Sequence, residues 1–160
     1  MTAADWPDIG RFAAGNSGVP YVWSFVGETA GPHVMVNCLT HGNEPAGAVA
    51  VGRLLDEGVR PRRGRVTLSF ANVAAYAAFR AGRDLPARFL DRDMNRLWRD
   101  DWLDADGSSR EAARARELRP VLREVDVLLD LHTTASVARP FFVIADMTKA
   151  RSLADRMAWP

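Results

Sequence analysis

Val34-Met35-Val36-Asn37-Cys38-Leu39 runs straight into Thr40-His41-Gly42-Asn43-Glu44-Pro45, and this junction decides how the chain is read. The first six residues are almost continuously apolar, the pattern of a strand buried on both faces of a mostly parallel sheet. Pro45 suits a first helical position, where its missing N–H costs nothing, and Gly58 suits the position just past a helix end. Between them Ala46, Val49, Ala50 and Leu54 recur at helical spacing, while Gly47 and Gly52 weaken the helix but allow close packing on a sheet. A strand therefore gives way to a helix within a few residues. His41 and Glu44, both able to ligate a metal, fall three apart on the turn between them.

A second arm arrives much later. Val125-Asp126-Val127-Leu128-Leu129-Asp130-Leu131 reads as another buried strand and delivers His132 at its end, followed by Thr133-Thr134. His41, Glu44 and His132 form a two-histidine, one-carboxylate set, which holds zinc in catalytic sites while one position stays open for water. One ionised carboxylate and two neutral imidazoles leave net charge +1 on the metal, enough to acidify water towards neutrality. Asp130, two residues before His132 on the same strand, is placed to orient that imidazole. Either histidine alone reads as a core or surface residue; all three groups closing apolar runs favours the metal.

Around these arms the chain alternates strand and helix. Pro7–Ala14 reads as a short helix, residues 15–18 as a loop, and Tyr21–Val26 as a strand ending at Gly27. His33 follows the Gly31-Pro32 turn and reads as exposed. Arg60-Pro61-Arg62-Arg63-Gly64 reads as a solvated basic turn, and Val66–Val73 as a strand. Residues 74–98, broken by Gly82 and Pro86, read as a long, partly helical loop of the kind that tends to carry function. Within it Arg96 offers a planar fork for a carboxylate, Asn95 a donor beside it, and Arg88 a charge for a developing oxyanion. By spacing alone, Arg88, Arg92 and Arg96 also fit a salt-bridged helical face with Asp91 and Asp93 between them. Trp98 and Trp102 read as packing residues, with an aromatic wall as the alternative.

Residues 104–107 read as a turn. Ser108 with Glu111 reads as a capping box opening a helix to Leu122, kinked at Pro120. Phe141–Ala145 reads as a last short strand and Lys149–Ala158 as the start of a helix. This alternation points to a single domain over residues 1–160, an open, mostly parallel mixed α/β sheet flanked by helices. Its site lies at the carboxyl edge of the strands.

Composition narrows the function classes. With 21 Lys plus Arg against 20 Asp plus Glu, neither nucleic acid nor an anionic membrane is the expected main partner. No apolar run reaches the ~20 residues of a membrane span, and the first fifteen residues lack the apolar segment of a signal peptide. The single cysteine, Cys38, fits a reducing compartment and reads as a small buried packing residue, so the cytoplasm is expected.

His-Gly-Asn-Glu at 41–44, Arg88 with Asp93-Met94-Asn95-Arg96, and Asp130-Leu131-His132-Thr133-Thr134 occur in this order. In these linked motifs, over about Val19–Ile144, the chain resembles the succinylglutamate desuccinylase/aspartoacylase family, a branch of the zinc carboxypeptidase superfamily. The resemblance implies a zinc carboxypeptidase-like fold with one zinc on His41, Glu44 and His132. It implies carbonyl polarisation by Arg88, carboxylate grip by Asn95 and Arg96, and support of that loop by Asp93. The implied reaction is hydrolysis of the amide of an N-acyl amino acid. Leu97-Trp98-Arg99 departs from the Phe that usually continues the family motif, which implies a different pocket.

The family supplies a general-base glutamate from a later strand, and no glutamate follows His132 here. With the abrupt end at Trp159-Pro160, this leads us to expect an incomplete N-terminal portion that binds zinc but hydrolyses poorly, with an open sheet edge and uncovered apolar surface. Two rival readings are a metallocarboxypeptidase acting on peptide C-termini and a zinc-binding, non-catalytic domain.

Overall fold

The computed structural model describes residues 6–82, 88–105, 107–134 and 136–157. Four strands, β1 (Val22–Val26), β2 (Thr29–Cys38), β3 (Arg63–Phe70) and β4 (Val127–Leu131), form one sheet in the order β1-β3-β2-β4. β2 runs parallel to both β3 and β4, and only β1 is antiparallel, against β3. The expected mixed, mostly parallel sheet is thus present, and both long apolar runs lie side by side in it. Their carboxyl ends coincide: Asn37 pairs with Asp130 and Cys38 with Leu131.

Helices cover both faces. α1 (Pro45–Asp56) and α2 (Val73–Arg80) pack with Cys38, Leu68 and Phe70 around a core that includes Ala48, Val51 and Tyr76. On the other face, α4 (Arg110–Arg123) lays Leu118 against Val22, Ala71 and Met94, while its Ala112 and Ala115 meet Leu103 of the short α3 (Asp100–Ala105). α5 (Thr148–Met157) buries no residue and is tied to the start of β4 by Lys149, whose ammonium donates to the Asp126 carbonyl at 2.6 Å.

Several expectations are corrected. The Pro7–Ala14 helix shrinks to a 3-10 turn, Gly10–Phe12. The first part of the partly helical loop read over 74–98, together with Val73 from the strand expected before it, forms the regular helix α2, which the Asn72 side chain caps by accepting from Ala75 N–H. The strand over 66–73 starts earlier and stops at Phe70. Ser109, not Ser108, caps α4, and the helix continues through Pro120. Phe141–Ala145 is not a strand: strand formation needs a neighbour's N–H and C=O groups, and among the described residues none pairs with it.

His33 is buried, not exposed, because β2 already begins at Thr29 and so carries His33 on the same buried face as Met35 and Asn37. There Nδ1–H donates to the Glu124 carbonyl at 3.0 Å and Nε2 meets the Thr67 hydroxyl at 2.8 Å. Cys38 is buried as expected. Trp98 and Trp102 stay 40% and 48% exposed, outside the buried core. Arg83, Pro86 and Ala158, which fell within expected elements, lie outside the described residues.

Candidate metal centre

β2 ends in an unusual backbone step. Leu39 is buried with φ of 58°, a left-handed conformation that costs a non-glycine residue about 1–2 kcal/mol. Its carbonyl accepts from Asn72 N–H and that of Cys38 from Ala71 N–H, both at 2.8 Å, so the end of β3 holds the step in place. The chain then turns through Thr40-His41-Gly42 into α1. Glu44 sits at the N-cap position of α1 without capping it, which leaves its carboxylate for other partners.

Those partners are the two histidines. His41 Nδ1 lies 2.9 Å from Glu44 Oε1, and His132 Nδ1 lies 2.9 Å from Glu44 Oε2. Thr133 N–H donates to Oε2 at 3.3 Å. The imidazoles stand 5.1 Å apart, and one ligand atom from each of the three residues lies within 4.8 Å of the others. Two separate backbone segments thus converge on one point, with His41 and Glu44 buried and His132 more open.

The outer nitrogens are equally committed. His41 Nε2 faces Asp93 Oδ1 at 3.0 Å, and His132 Nε2 faces Asp130 Oδ2 at 2.8 Å. Each ring has a carboxylate at both nitrogens. This donor set fits a divalent cation: with Nε2–H given to an outer carboxylate, each Nδ1 lone pair is left facing Glu44, and a cation between them satisfies all three. Without a cation, the bonds to Asp130 and then to Glu44 push His132 up to about 10 from its ordinary 6.5. Burial alone would raise Glu44, but the bonds from His132 and His41 outweigh it and hold that carboxyl down to about 2.

Behind His132 runs a polar chain that the amino-acid pattern did not disclose. Ser69 hydroxyl donates to Asn37 Oδ1, Asn37 Nδ2 donates to Asp130 Oδ1 at 2.8 Å, and Thr40 hydroxyl donates to Asp130 Oδ2 at 2.8 Å. Buried polar groups hold geometry only when they are satisfied, and these are. The β2–β4 register creates the chain by setting Asn37 opposite Asp130.

The Arg88–Arg96 stretch is not the salt-bridged helical face that its spacing allowed. Only Met94–Arg96 is helical, a single 3-10 turn capped by Asp93, which accepts from Asn95 N–H. Arg88 turns towards the centre: Nη1 donates to Glu44 Oε1 at 3.3 Å, Nη2 lies 3.0 Å from His41 Nε2, and its carbonyl accepts from Gly42 N–H. Asn95 and Arg96 are exposed on the next turn. Asn95, with Thr40, Asp130 and Trp98, borders a cavity of about 460 Å³ between the sheet and α4.

The family model described as the succinylglutamate desuccinylase/aspartoacylase catalytic domain matches residues 30–159. Among curated proteins compared by sequence, none matches. Murine aminoacylase 3 is 33% identical over 63% of this chain and 35% of its own, with a TM-score of 0.50. An aspartoacylase family protein from Mesorhizobium loti is 28% identical over 89% of this chain and 46% of its own, with a TM-score of 0.61. The succinylglutamate desuccinylase from Chromobacterium violaceum is 27% identical over 71% of this chain and 36% of its own, with a TM-score of 0.55. The chain therefore spans between about a third and a half of the length of these relatives. With its sheet order, its converging histidines and a family match over most of its length, the chain belongs to the succinylglutamate desuccinylase/aspartoacylase family.

Proposed function

We propose that this chain carries the metal-binding core of a zinc-dependent hydrolase that cleaves the amide of an N-acyl amino acid to a carboxylate and a free amine. The observation that carries this is the convergence of His41, Glu44 and His132, each imidazole backed by a carboxylate. When bound there, zinc supplies Lewis acidity to water and to the acyl oxygen. The chain's own groups do the rest. Asp93 and Asp130 hold the Nε2 protons and keep both Nδ1 atoms turned to Glu44.

Arg88, 43% exposed and beside Glu44, donates to the acyl oxygen as negative charge gathers on it. Asn95 and the planar fork of Arg96 hold the substrate carboxylate from the adjoining turn. The partner is thus a small anionic amide. The lone buried Cys38 agrees with a reducing, cytoplasmic setting, and no described helix is long and apolar enough to cross a membrane.

The test incubates zinc-loaded protein with a panel of N-acetyl amino acids and, separately, with peptides, and follows free amine. Slow turnover of the small amides is expected, with Arg88→Ala slower still and its zinc retained. Release of C-terminal residues from peptides, with the small amides untouched, would move the reading to a metallocarboxypeptidase. Zinc binding with neither activity would leave a non-catalytic domain.

A further inference from the structure

Among the described residues, the most deeply buried charged side chain outside the metal centre is Glu111, on the first turn of α4 and fully inaccessible. Its place in the chain suggests a helix-capping role, but Ser109 already caps α4 by accepting from Ala112 N–H at 3.1 Å. The Glu111 carboxylate turns away from its helix instead. Oε1 accepts from Leu90 N–H at 2.7 Å and from Asn72 Nδ2 at 3.2 Å, and Oε2 accepts from Asp91 and Arg92 N–H at 3.1 and 3.2 Å.

Every one of these donors leads to the centre. Leu90, Asp91 and Arg92 are the backbone between Arg88, which reaches Glu44, and Asp93, which holds His41 Nε2. Asn72 N–H holds the Leu39 carbonyl at the left-handed step that precedes Thr40-His41. Asp91 is pinned to α4 as well, by Arg110 at 2.7 Å. A single buried carboxylate therefore braces the loop that carries Asp93 and Arg88, and the turn that carries His41.

We propose that Glu111 is a positioning residue of the metal centre: by gathering three successive loop N–H groups and Asn72, it seats Asp93 on His41 and aims Arg88 at Glu44. This rests on the metal-centre reading above. It also explains a buried acid with four donors: a carboxamide of the same shape would turn N–H groups against N–H groups.

Zinc affinity of the full chain, measured by competition with a chromophoric chelator, supplies the test. Glu111→Gln is expected to raise the zinc Kd about tenfold, the scale of loss for a group that orients a ligand from outside the coordination sphere. In an Asp93→Ala background the same substitution should change Kd distinctly less, because the main group it acts through is gone. Leu55→Ala, a core truncation near the far end of α1, should lower Tm and leave Kd alone. Faster amide exchange at Leu90–Arg92 in Glu111→Gln should accompany the change. Should that variant not fold, Glu111→Asp, with the charge on a shorter stem, runs the same cycle with a smaller loss. An equal Kd change in both backgrounds, or none in either, overturns the proposal. A wild-type chain that binds no zinc overturns it together with the metal reading, and the wild-type arm tells the two failures apart.

Discussion

Gly47 of α1 rides against Cys38 of β2 so closely that a Cβ on the glycine would lie 2.8 Å from the cysteine Cβ, with the Leu131 carbonyl 3.2 Å away. That contact sets how near the start of α1, and with it Glu44, stands to the ends of β2 and β4. Gly52, one and a half turns further on, meets only the edge of the Phe12 ring at 3.3 Å.

The two glycines should respond differently to the same change. Gly47→Ala is expected to destabilise, since overpacking costs about 1–3 kcal/mol against a helix-propensity gain of at most about 1 kcal/mol. It should also weaken zinc binding by pushing Glu44 off the histidines. Gly52→Ala, facing a ring that can shift, should fall within about 0.5 kcal/mol of wild type. Denaturant melts of both variants check this; a Gly47→Ala protein as stable as Gly52→Ala would show that α1 is free to retreat.

Asp130 gives a second prediction. It takes the Nε2 proton of His132 and is itself fixed by Asn37 and Thr40. Asp130→Asn keeps the shape but offers an amide where an acceptor is needed, so zinc affinity should fall about 10–100-fold. Unchanged affinity in a chelator competition would mean that His132 is oriented by something else.

The third concerns pH. His132 is raised to about 10 in the metal-free protein, against 6.5 ordinarily. The native state therefore holds a proton that the unfolded chain loses above pH 6.5. Its contribution to metal-free stability is complete below pH 6.5 and fades as pH climbs through 10. Zinc must displace the same proton, so its apparent affinity should rise up to about tenfold per pH unit over that window, with proton release on binding. Glu44, held down to about 2, adds no proton to this exchange near neutrality. Calorimetry in buffers of different ionisation enthalpy measures the released proton. A pH-independent affinity between 7 and 9 would contradict the His132 assignment.

What could be read beforehand divides along physical lines. The β2–α1 junction and β4 were legible because an apolar run, Pro45 at the first helical position and the His41–Glu44 interval are local signals. The loop from Arg88 to Arg96 was not, because its shape is imposed by Glu111 and Arg110 from about twenty residues away, and residue spacing carries no record of that. His33 was misread because the Gly31-Pro32 pair, which reads as a turn, lies inside β2. Phe141–Ala145 has strand-like composition but gains no strand without a paired neighbour. The left-handed step at Leu39 has no residue signal at all, since leucine is an unfavourable choice for it.

Zinc stoichiometry in purified protein, measured beside His41→Ala and His132→Ala, tests the metal centre most directly. One zinc per wild-type chain and its loss from both variants is the predicted result. Undiminished zinc in either variant would show that the two segments do not meet around a common ion.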